Sequence, residues 1–343
     1  MLATTMYRSP PLFTSNPLGT RRPTCRDGPD SMMFLPVAEF PEHAGSPSAT
    51  QPSTIRAEVR FPLVPVTADH NDQRIELDDV RARFRALHRE GTFLMPNPHD
   101  LGSCRLLTTL GFEALATTSG GFAASLGQQD MTVDRDALVE HVSAMCRVTH
   151  LPVNVDAEQC FPDSPGGIAS TVELLAQAGA AGCSIEDWNP VTKEIEDLAL
   201  AAERVAIAAV VAEREGLILT ARAENHLHGR DDLDDTIRRL VAFREAGAHV
   251  VYAPALIDLP AIARIVEEAG APVNVLLVPG GPTRAQLENI GVRRLSVGNS
   301  LARIAYGTLF QAAERLRDTG TLDVDAPYLD REIANAAFVA QSG

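Results

Sequence analysis

From about Leu77 onward the chain repeats one local pattern, and this repetition restricts its fold more than any other feature. Amphipathic stretches rich in Ala, Leu, Glu and Arg alternate with short Val/Ile/Leu runs, and a glycine usually separates them, as in LLAQAGAAGCSIED, FREAGAHVVYAP and LENIGVRRLSVGN. Glycine suits the left-handed cap that ends a helix. Uninterrupted apolar runs between helices are typical of parallel strands buried on both faces. The pattern predicts an α/β fold with a parallel sheet.

The number of apolar runs favours a closed barrel. They begin near residues 92, 112, 151, 182, 217, 249, 273 and 293. Eight βα units in roughly 230 residues fit a (β/α)8 (TIM) barrel better than an open doubly wound sheet. The open sheet would gain support from a dinucleotide-binding glycine loop, but Ser-Gly-Gly at 119–121 lacks that spacing. We expect the barrel, and with it the catalytic domain, to occupy residues 76–325.

The two ends of the chain differ from the barrel. Residues 1–75 include a Pro-, Ser-, Thr- and Gly-rich stretch without helix or strand periodicity. Such a low-complexity segment buries too little apolar surface to offset its ordering entropy, so we expect a disordered tail. Its arginine-rich start faintly resembles a transit peptide, but we prefer a dispensable tail or a start codon placed too far upstream. Residues 326–343 are expected to form a C-terminal helical tail.

Composition excludes several classes of partner. The formal net charge of −15 repels nucleic-acid phosphates and anionic lipid, and no apolar run approaches the ~20 residues of a membrane span. The five cysteines are scattered and form no C-x-x-C pair, which indicates a reducing cytoplasm and argues against zinc or disulfides. An anionic substrate of such a protein must be bound by local positive groups or by a metal.

Polar residues follow the predicted strands, at the end of a barrel where active sites lie. They are Thr118, Ser119 and Gly120 after the second strand, Asp156 and Glu158 after the third, Glu186 after the fourth, Arg222 after the fifth and Asn274 in the seventh.

The acids of this set predict a metal site. Asp156 and Glu158 are two residues apart, so an extended chain would place both on one face, and Glu186 follows the next strand. Three converging carboxylates repel one another unless a divalent cation neutralises them, and oxygen ligands favour Mg²⁺, with Mn²⁺ as a substitute. Arg222 would bind a substrate carboxylate. Alternatively, each acid alone is a helix cap or surface ion pair, and Arg222 pairs structurally with Glu186 or Glu224.

Several segments together resemble the isocitrate lyase/phosphoenolpyruvate mutase family, in particular its small bacterial phosphonomutase-like members. They are MPNPHDLGSCRLLTTLGFEALATTSGGFAASLGQQD, VNVDAEQCF, AGAAGCSIEDW, LTARAENHLHGRDDLDDTIRRLVAFREAGAHVVYAP, PVNVLLVPGGP and RRLSVGNSLARIAYG. The resemblance covers about residues 80–320, in order and with few gaps. It implies a (β/α)8 barrel, commonly a homotetramer whose subunits exchange a C-terminal helix.

The resemblance also implies roles for individual residues. Asp156, Glu158 and Glu186 would bind Mg²⁺ largely through water, and Asp130 matches a further acid near the metal. The Thr118-Ser119-Gly120 turn would hold the substrate carboxylate, together with Asn274. Arg222 would bind the oxo-acid or its enolate, so Arg222, Asp130 and Glu186 are our candidate catalytic residues. The chemistry implied is an enolate of a small α-oxo acid, chelated by the metal while a bond changes at C3.

Departures from the family pattern leave the reaction open. The segment Glu186–Lys193 lacks both the cysteine-containing loop of the isocitrate-type lyases and the longer Lys-Thr-Asn loop of the mutases. The carboxylate that lyases place after the sixth strand appears as Ala255. Gln159-Cys160-Phe161-Pro162 replaces the family's Gly-aromatic-Gly turn.

Other residues are candidates for the missing acid, each with an ordinary alternative. Nearby carboxylates would raise the pKa of a thiol, so Cys160 is interpreted mainly as packing. His226 and His228 could transfer protons near neutral pH, although loop histidines are more often solvated. Trp188 could cover the pocket or simply pack at the rim.

Three functions follow from the sequence. We expect an Mg²⁺-dependent enzyme of the lyase class that cleaves a carbon–carbon bond of, or decarboxylates, a small oxo- or hydroxy-diacid. The first alternative is C–P chemistry of the phosphoenolpyruvate mutase or phosphonopyruvate hydrolase type. The second is a catalytically drifted barrel that still binds a metal and a carboxylate.

Overall fold

The structure, a computed structural model, describes residues 70–322 and 328–338. The first helix begins at His70, so the last six residues of the segment expected to be a disordered tail are helical. The physical reason is a proline-free, strongly charged run that continues into the amphipathic sequence. The rest of that predicted tail lies outside the described residues. The helix Arg331–Phe338 falls within the C-terminal segment expected to be helical.

The described part of the chain contains the following elements. The strands are β1 Phe93–Met95, β2 Leu115–Ala116, β3 Val153–Asp156, β4 Gly182–Glu186, β5 Trp188–Asn189, β6 Glu194–Ile195, β7 Ile218–Arg222, β8 Val250–Tyr252, β9 Val273–Leu276 and β10 Arg294–Ser296. The helices are α1 His70–Leu87, α2 Leu101–Thr109, α3 Ser119–Ser125, α4 Arg135–Cys146, α5 Gly167–Gln177, α6 Leu198–Glu215, α7 Leu233–Glu245, α8 Leu259–Glu268, α9 Arg284–Asn289, α10 Ser300–Thr319 and α11 Arg331–Phe338. None of these helices is long and apolar enough to cross a bilayer.

Eight strands form the predicted parallel barrel. Their order in the sheet is β1-β10-β9-β8-β7-β4-β3-β2, and every neighbouring pair is parallel. The amide of Ala116 donates to the carbonyl of Pro96 over 3.0 Å, which joins the two outer strands of this order. The remaining strands, β5 and β6, form a short antiparallel hairpin after β4. The (β/α)8 prediction is therefore confirmed.

The lower end of the barrel, where the strands begin, is closed by apolar residues. Phe84 of α1 packs with Phe93, Ile218 and Val250 in one buried cluster. A side chain at position 182 would not fit here, because its Cβ would lie 2.7 Å from the carbonyl oxygen of Ile218 and 2.9 Å from the ring of Phe84. Gly182 thus allows α1 to seal the end of the barrel opposite the predicted site.

Closer to the carboxyl ends of the strands, the side chains that point into the barrel are polar. They include Asn154, Ser184, Thr220, Asn274, Arg294 and Ser296, all buried. The interiors of such barrels are more commonly filled by branched aliphatic side chains. Smaller polar residues leave room for a cavity at the carboxyl ends of the strands.

A buried ion-pair network holds the loops beside this cavity. Arg239 of α7 donates to Asp187, directly after β4, over 3.1 Å and to Asp235 over 2.9 Å. Asp187 in turn accepts from the backbone amide of Glu224 over 2.8 Å, in the loop after β7. The network therefore fixes the ends of β4 and β7 relative to α7.

We predict that Asp235→Asn lowers the free energy of unfolding at pH 7 by about 3 kcal/mol, since it leaves buried Arg239 with one carboxylate fewer. The pKa of Asp235 is depressed because burial is outweighed by hydrogen bonds from Arg239, Arg238 and Asn225. This stabilisation is therefore fully present above a pH of about 4 and is lost as the pH falls towards the folded-state pKa. Urea denaturation of both proteins at pH 7 and pH 3 measures the effect.

Asp234→Asn is the matched control. Asp234 is the neighbouring residue of α7, its side chain is 77% exposed, and it pairs with Arg264 at the surface. We expect a change below about 0.5 kcal/mol. Equal destabilisation by both substitutions would contradict the structural role assigned to the network.

Candidate active site

A cavity of about 190 Å³ opens at the carboxyl ends of the strands. Its polar lining consists of Asn97, Thr117, Thr118, Ser119, Asp130, Asn154, Asp156, Ser184, Thr220, Arg222, Tyr252, Asn274, Arg294, Ser296 and Asn299. The carboxyl ends of the strands are therefore polar, as expected, while the opposite end of the barrel is apolar.

Arg222, the last residue of β7, lies among three carboxylates. Its guanidinium contacts Asp156 at 2.6 Å, Glu224 at 2.8 Å and Glu186 at 3.1 Å. The pairings with Glu186 and Glu224 that the sequence left open are thus both present, and Asp156 is a third partner. Burial alone would lower the pKa of Arg222, but the three carboxylates outweigh it and raise that pKa well above its usual value. Arg222 is a permanent cation at the centre of an acidic cluster.

The turn after β2 contacts the same cluster. Thr118 caps α3, and the backbone amide and hydroxyl of Ser119 donate to Asp156 over 3.0 and 3.1 Å. A Cβ at position 120 would lie 2.8 Å from a carboxylate oxygen of Asp130. Gly120 therefore permits the close approach of Asp130 to the turn, and the predicted loop residues and Asp130 line one cavity.

Carboxylates outnumber cations in this region. Burial and then the neighbouring Asp156 raise the pKa of Asp130. Burial, Asp156 and Asp130 raise the pKa of Glu158 to about 8. Burial also raises the pKa of Glu186, although Arg222 opposes this. One arginine thus does not compensate the negative charge of the site.

The structure corrects one argument from the sequence. Asp156 lines the main cavity, but Glu158 lines a neighbouring cavity with Met131, Arg135 and Phe161. The same-face argument fails because β3 ends at Asp156 and Glu158 has a φ of +52°. A left-handed residue turns the chain, so the period of two does not extend past the strand. Glu186 is buried and paired with Arg222, and it likewise does not line the main cavity.

The strained backbone at Glu158 continues in the residues that replace the family's glycine turn. Cys160 has a φ of +58° and Phe161 a φ of +49°. Such conformations cost roughly 1–3 kcal/mol each for residues with a side chain. Three non-glycine residues of this turn thus adopt backbone conformations that favour glycine.

The donor chemistry of the site fits a hydrated divalent cation. Within the described residues, no three His, Cys, Asp or Glu side chains are arranged to hold a metal ion directly. The carboxylates of Asp130, Asp156, Glu158 and Glu186 are hard oxygen donors around one arginine, which suits Mg²⁺ that keeps several of its waters. The residues therefore fit indirect coordination better than a closed cage.

The other candidates from the sequence occupy peripheral positions. Cys160 is fully buried, donates to the carbonyl of Ser184 over 3.4 Å and has a strongly raised pKa because of burial, consistent with packing. His228 stacks on Trp188 with ring centroids 3.4 Å apart. His226 lies 3.5 Å from Asp231. None of these four residues lines the main cavity.

Some lining residues were not identified from the sequence. Pro254, rather than Ala255, faces the cavity after β8, and neither carries an ionisable group. Tyr252 and Arg294 also line it. The sequence signal for both was their position in short strands, where every second side chain points into the barrel. Tyr252 pairs with Asn274 on the neighbouring strand, and Asn274 pairs with Arg294. Burial raises the pKa of Tyr252, so its hydroxyl stays a neutral hydrogen-bond donor.

Comparison with known proteins agrees with this geometry. The family model described as phosphoenolpyruvate phosphomutase matches residues 84–317. A 2-methylisocitrate lyase of Halalkalibacterium halodurans is 26% identical over 265 residues, which covers 71% of this chain and 84% of the relative. Oxaloacetate decarboxylase 2 of Pseudomonas putida is 28% identical over 223 residues, or 61% of this chain and 72% of the relative.

Solved structures share the fold. A Burkholderia cenocepacia protein described as a lyase/mutase is 44% identical and superposes with a TM-score of 0.74, covering 78% of this chain and 98% of that one. Phosphonopyruvate hydrolase, solved with oxalate and Mg²⁺, shares the fold at 20% identity and a TM-score of 0.66, over 75% of this chain and 94% of that one. The match of the family model to most of the barrel, and the acids and arginine at its mouth, show that this chain belongs to the isocitrate lyase/phosphoenolpyruvate mutase family.

Proposed function

We propose that the protein is an Mg²⁺-dependent lyase that cleaves a carbon–carbon bond of, or decarboxylates, a small oxo- or hydroxy-diacid. The observation that carries this proposal is the meeting of Arg222 and Asp156 at 2.6 Å beside the turn of Ser119 and Gly120. These residues offer one cation, one carboxylate and two small loop residues at one point in a cavity suited to a small molecule.

Each group has a distinct task in this reaction. Ser119 and Gly120 would bind the carboxylate of the oxo-acid, and Asn274 would donate a hydrogen bond to it. Arg222 would stabilise the negative charge that develops on the enolate oxygen, because it is a preorganised cation in a partly buried site. Glu186 and Glu224 would hold the guanidinium in place while Asp156 engages other partners.

The acids would hold the metal. Asp156, Glu158 and Glu186 would bind Mg²⁺ through its waters, with Asp130 nearby. When bound, Mg²⁺ would supply positive charge next to the oxo-acid oxygens. The complex of phosphonopyruvate hydrolase with oxalate and Mg²⁺ supports this, since oxalate has the shape and charge of a pyruvate enolate.

The hairpin after β4 argues against a mutase, although it also lacks the cysteine-containing loop of the isocitrate-type lyases. Its turn is tightened by the side-chain oxygen of Asn189, which accepts from the amides of Val191 and Thr192 over 3.0 and 3.1 Å. Glu196, just beyond β6, pairs with Arg204 of α6. The segment is thus short and tied to the barrel, unlike the longer loop expected of mutases. The choice of a lyase is supported by the relatives named as a lyase and a decarboxylase.

We predict that the purified protein with Mg²⁺ releases pyruvate from at least one of oxaloacetate, 2-methylisocitrate and 2,3-dimethylmalate. Chelation by EDTA should abolish the release, and added Mg²⁺ or Mn²⁺ should restore it. A lactate dehydrogenase assay detects pyruvate, and mass spectrometry of the co-product identifies the broken bond. Turnover of phosphonopyruvate alone would instead establish C–P chemistry. Mg²⁺-dependent oxalate binding without any turnover would establish a drifted barrel.

We predict that Asp156→Asn and Arg222→Lys each lower kcat/KM by about 10² or more. Asparagine removes the negative charge that faces Arg222, and lysine cannot reach three carboxylates with one planar group. Thermal melting should show that both variants stay folded. Asp136→Asn and Arg264→Lys, which make the same substitutions at exposed ion pairs, should keep full activity. Full activity in either site variant would show that the site is misplaced.

We also propose that the protein is a homo-oligomer, namely the homotetramer that its resemblance to the family implies. Ile304, Leu309 and Phe310 of α10 are each 64% exposed, and Ile333 of α11 is 51% exposed. Ile304, Leu309 and Phe310 are spread around α10, so this helix exposes large apolar side chains on several sides, which is unusual for a monomer.

Light scattering after gel filtration should accordingly give about four times the chain mass of 36.8 kDa. Ile304→Glu combined with Leu309→Glu should yield smaller species, because a buried charge opposes association. Val210→Glu, at a residue of α6 that is 70% exposed, is the control and should leave the mass unchanged. A monomeric wild-type protein would refute the tetramer.

A further inference from the structure

Arg294 is a buried cation in the interior of the barrel. It is the first residue of β10, its exposed fraction is 2%, and its side chain lines the cavity below Arg222 and Asp156. Leu295 points to the helices and packs in the outer core, whereas Ser296, like Arg294, lines the cavity. Arg294 therefore belongs to the inner wall of the site rather than to the packing of the fold.

The hydrogen-bond partners of Arg294 are all neutral. Its guanidinium donates to Thr220 over 2.8 Å and to Asn274 over 3.0 Å, and it lies 3.4 Å from Nε2 of His88. Nδ1 of His88 lies 2.8 Å from the carbonyl of Phe84, which places the proton on Nδ1 and leaves Nε2 as an acceptor. Burial, and then Arg294, lower the pKa of His88 to about 3, so this histidine is uncharged.

This absence of a carboxylate distinguishes Arg294 from the other buried arginines near the cavity. Arg222 contacts three acids, and Arg239 contacts two. Among the described residues no acid forms an ion pair with Arg294, and burial lowers its pKa to about 9. A buried charge without a counter-ion is unfavourable, so the site lacks an anion that would pair with Arg294.

The free donors of Arg294 could bind an anion. A guanidinium has five N–H groups, and the three neutral partners use three of them. In the upper part of the cavity Arg222 is already paired with three carboxylates, so it offers no unpaired cation to a second anionic group of a substrate. The lower part is thus electrostatically the favourable place for such a group.

We propose that Arg294 is a specificity-determining residue that binds the second anionic group of the substrate at the floor of the cavity. This inference rests on the proposed function only in assuming that the first carboxylate binds at the turn of Ser119 and Gly120. The second group is a carboxylate or a phosphonate, since a guanidinium can bind either through paired hydrogen bonds. A substrate with one negative charge would leave Arg294 unpaired.

The test compares a dianion with a monoanion. Calorimetry in the presence of Mg²⁺ would measure the affinity of the wild-type protein for 3,3-difluorooxaloacetate, for phosphonopyruvate and for pyruvate. Arg294→Met should weaken the better-bound dianion roughly 10- to 100-fold, the loss expected for a charged hydrogen-bond pair. It should change the affinity for pyruvate by less than about twofold. The dianion that loses most identifies the chemistry of the second group.

Arg293→Met is the matched control. Arg293 directly precedes β10 and donates to the backbone carbonyl of Gly91 at the surface. It should leave the affinity for all three ligands unchanged. If Arg294→Met does not fold, as judged by circular dichroism, Arg294→Gln replaces it, because glutamine removes the charge while keeping polar contacts with Thr220 and Asn274.

An unchanged ratio of dianion to pyruvate affinity in the Arg294 variant would overturn the proposal, as would an equal loss for both. No binding of any of these ligands to the wild-type protein would overturn it as well, together with the assumed carboxylate site. The proposed lyase function fails separately, if no diacid yields pyruvate. Selective loss of dianion binding without turnover would support the role of Arg294 while refuting the lyase.

Discussion

The position of Arg222 among Asp156, Glu186 and Glu224 is the interaction on which the rest of the site depends. It arises because β3, β4 and β7 are adjacent in the barrel, with Asp156 opposite Ser184 and Glu186 opposite Arg222 in the register. One guanidinium cannot balance the carboxylates around it. The remaining negative charge makes the region receptive to a divalent cation, and the loops that carry these residues are fixed by the network of Arg239.

A polarity gradient along the barrel axis complements this arrangement. The end sealed by Phe84 is apolar, the middle holds Arg294 and its neutral partners, and the mouth holds the acidic cluster. A small diacid would therefore meet positive charge both at the mouth, from a metal and Arg222, and at the floor, from Arg294. Such an arrangement distinguishes ligands by the number and separation of their charges more than by their shape.

The parts of the site that were predictable are those that follow from strand ends. Asp156 and Arg222 end parallel strands and the turn of Ser119 and Gly120 follows one, and parallel strands of a barrel end at one rim. The argument that Glu158 shares a strand face with Asp156 failed because a left-handed residue after β3 ends the alternation, and non-glycine residues give no local sign of that conformation. Arg294 was missed because two consecutive arginines before a short apolar run are typical of a surface.

The sequence by itself determined the alternation of helices and strands, the barrel, the family and the polar residues at the strand ends, because each follows from local periodicity or contiguous motifs. Tertiary structure alone decided which carboxylates face the cavity, which arginine is paired and which is not, and how the hairpin after β4 is held. Those properties depend on the register and shear of strands distant in the chain, so a residue such as Arg294 acquires its buried, unpaired charge only when the barrel closes around it.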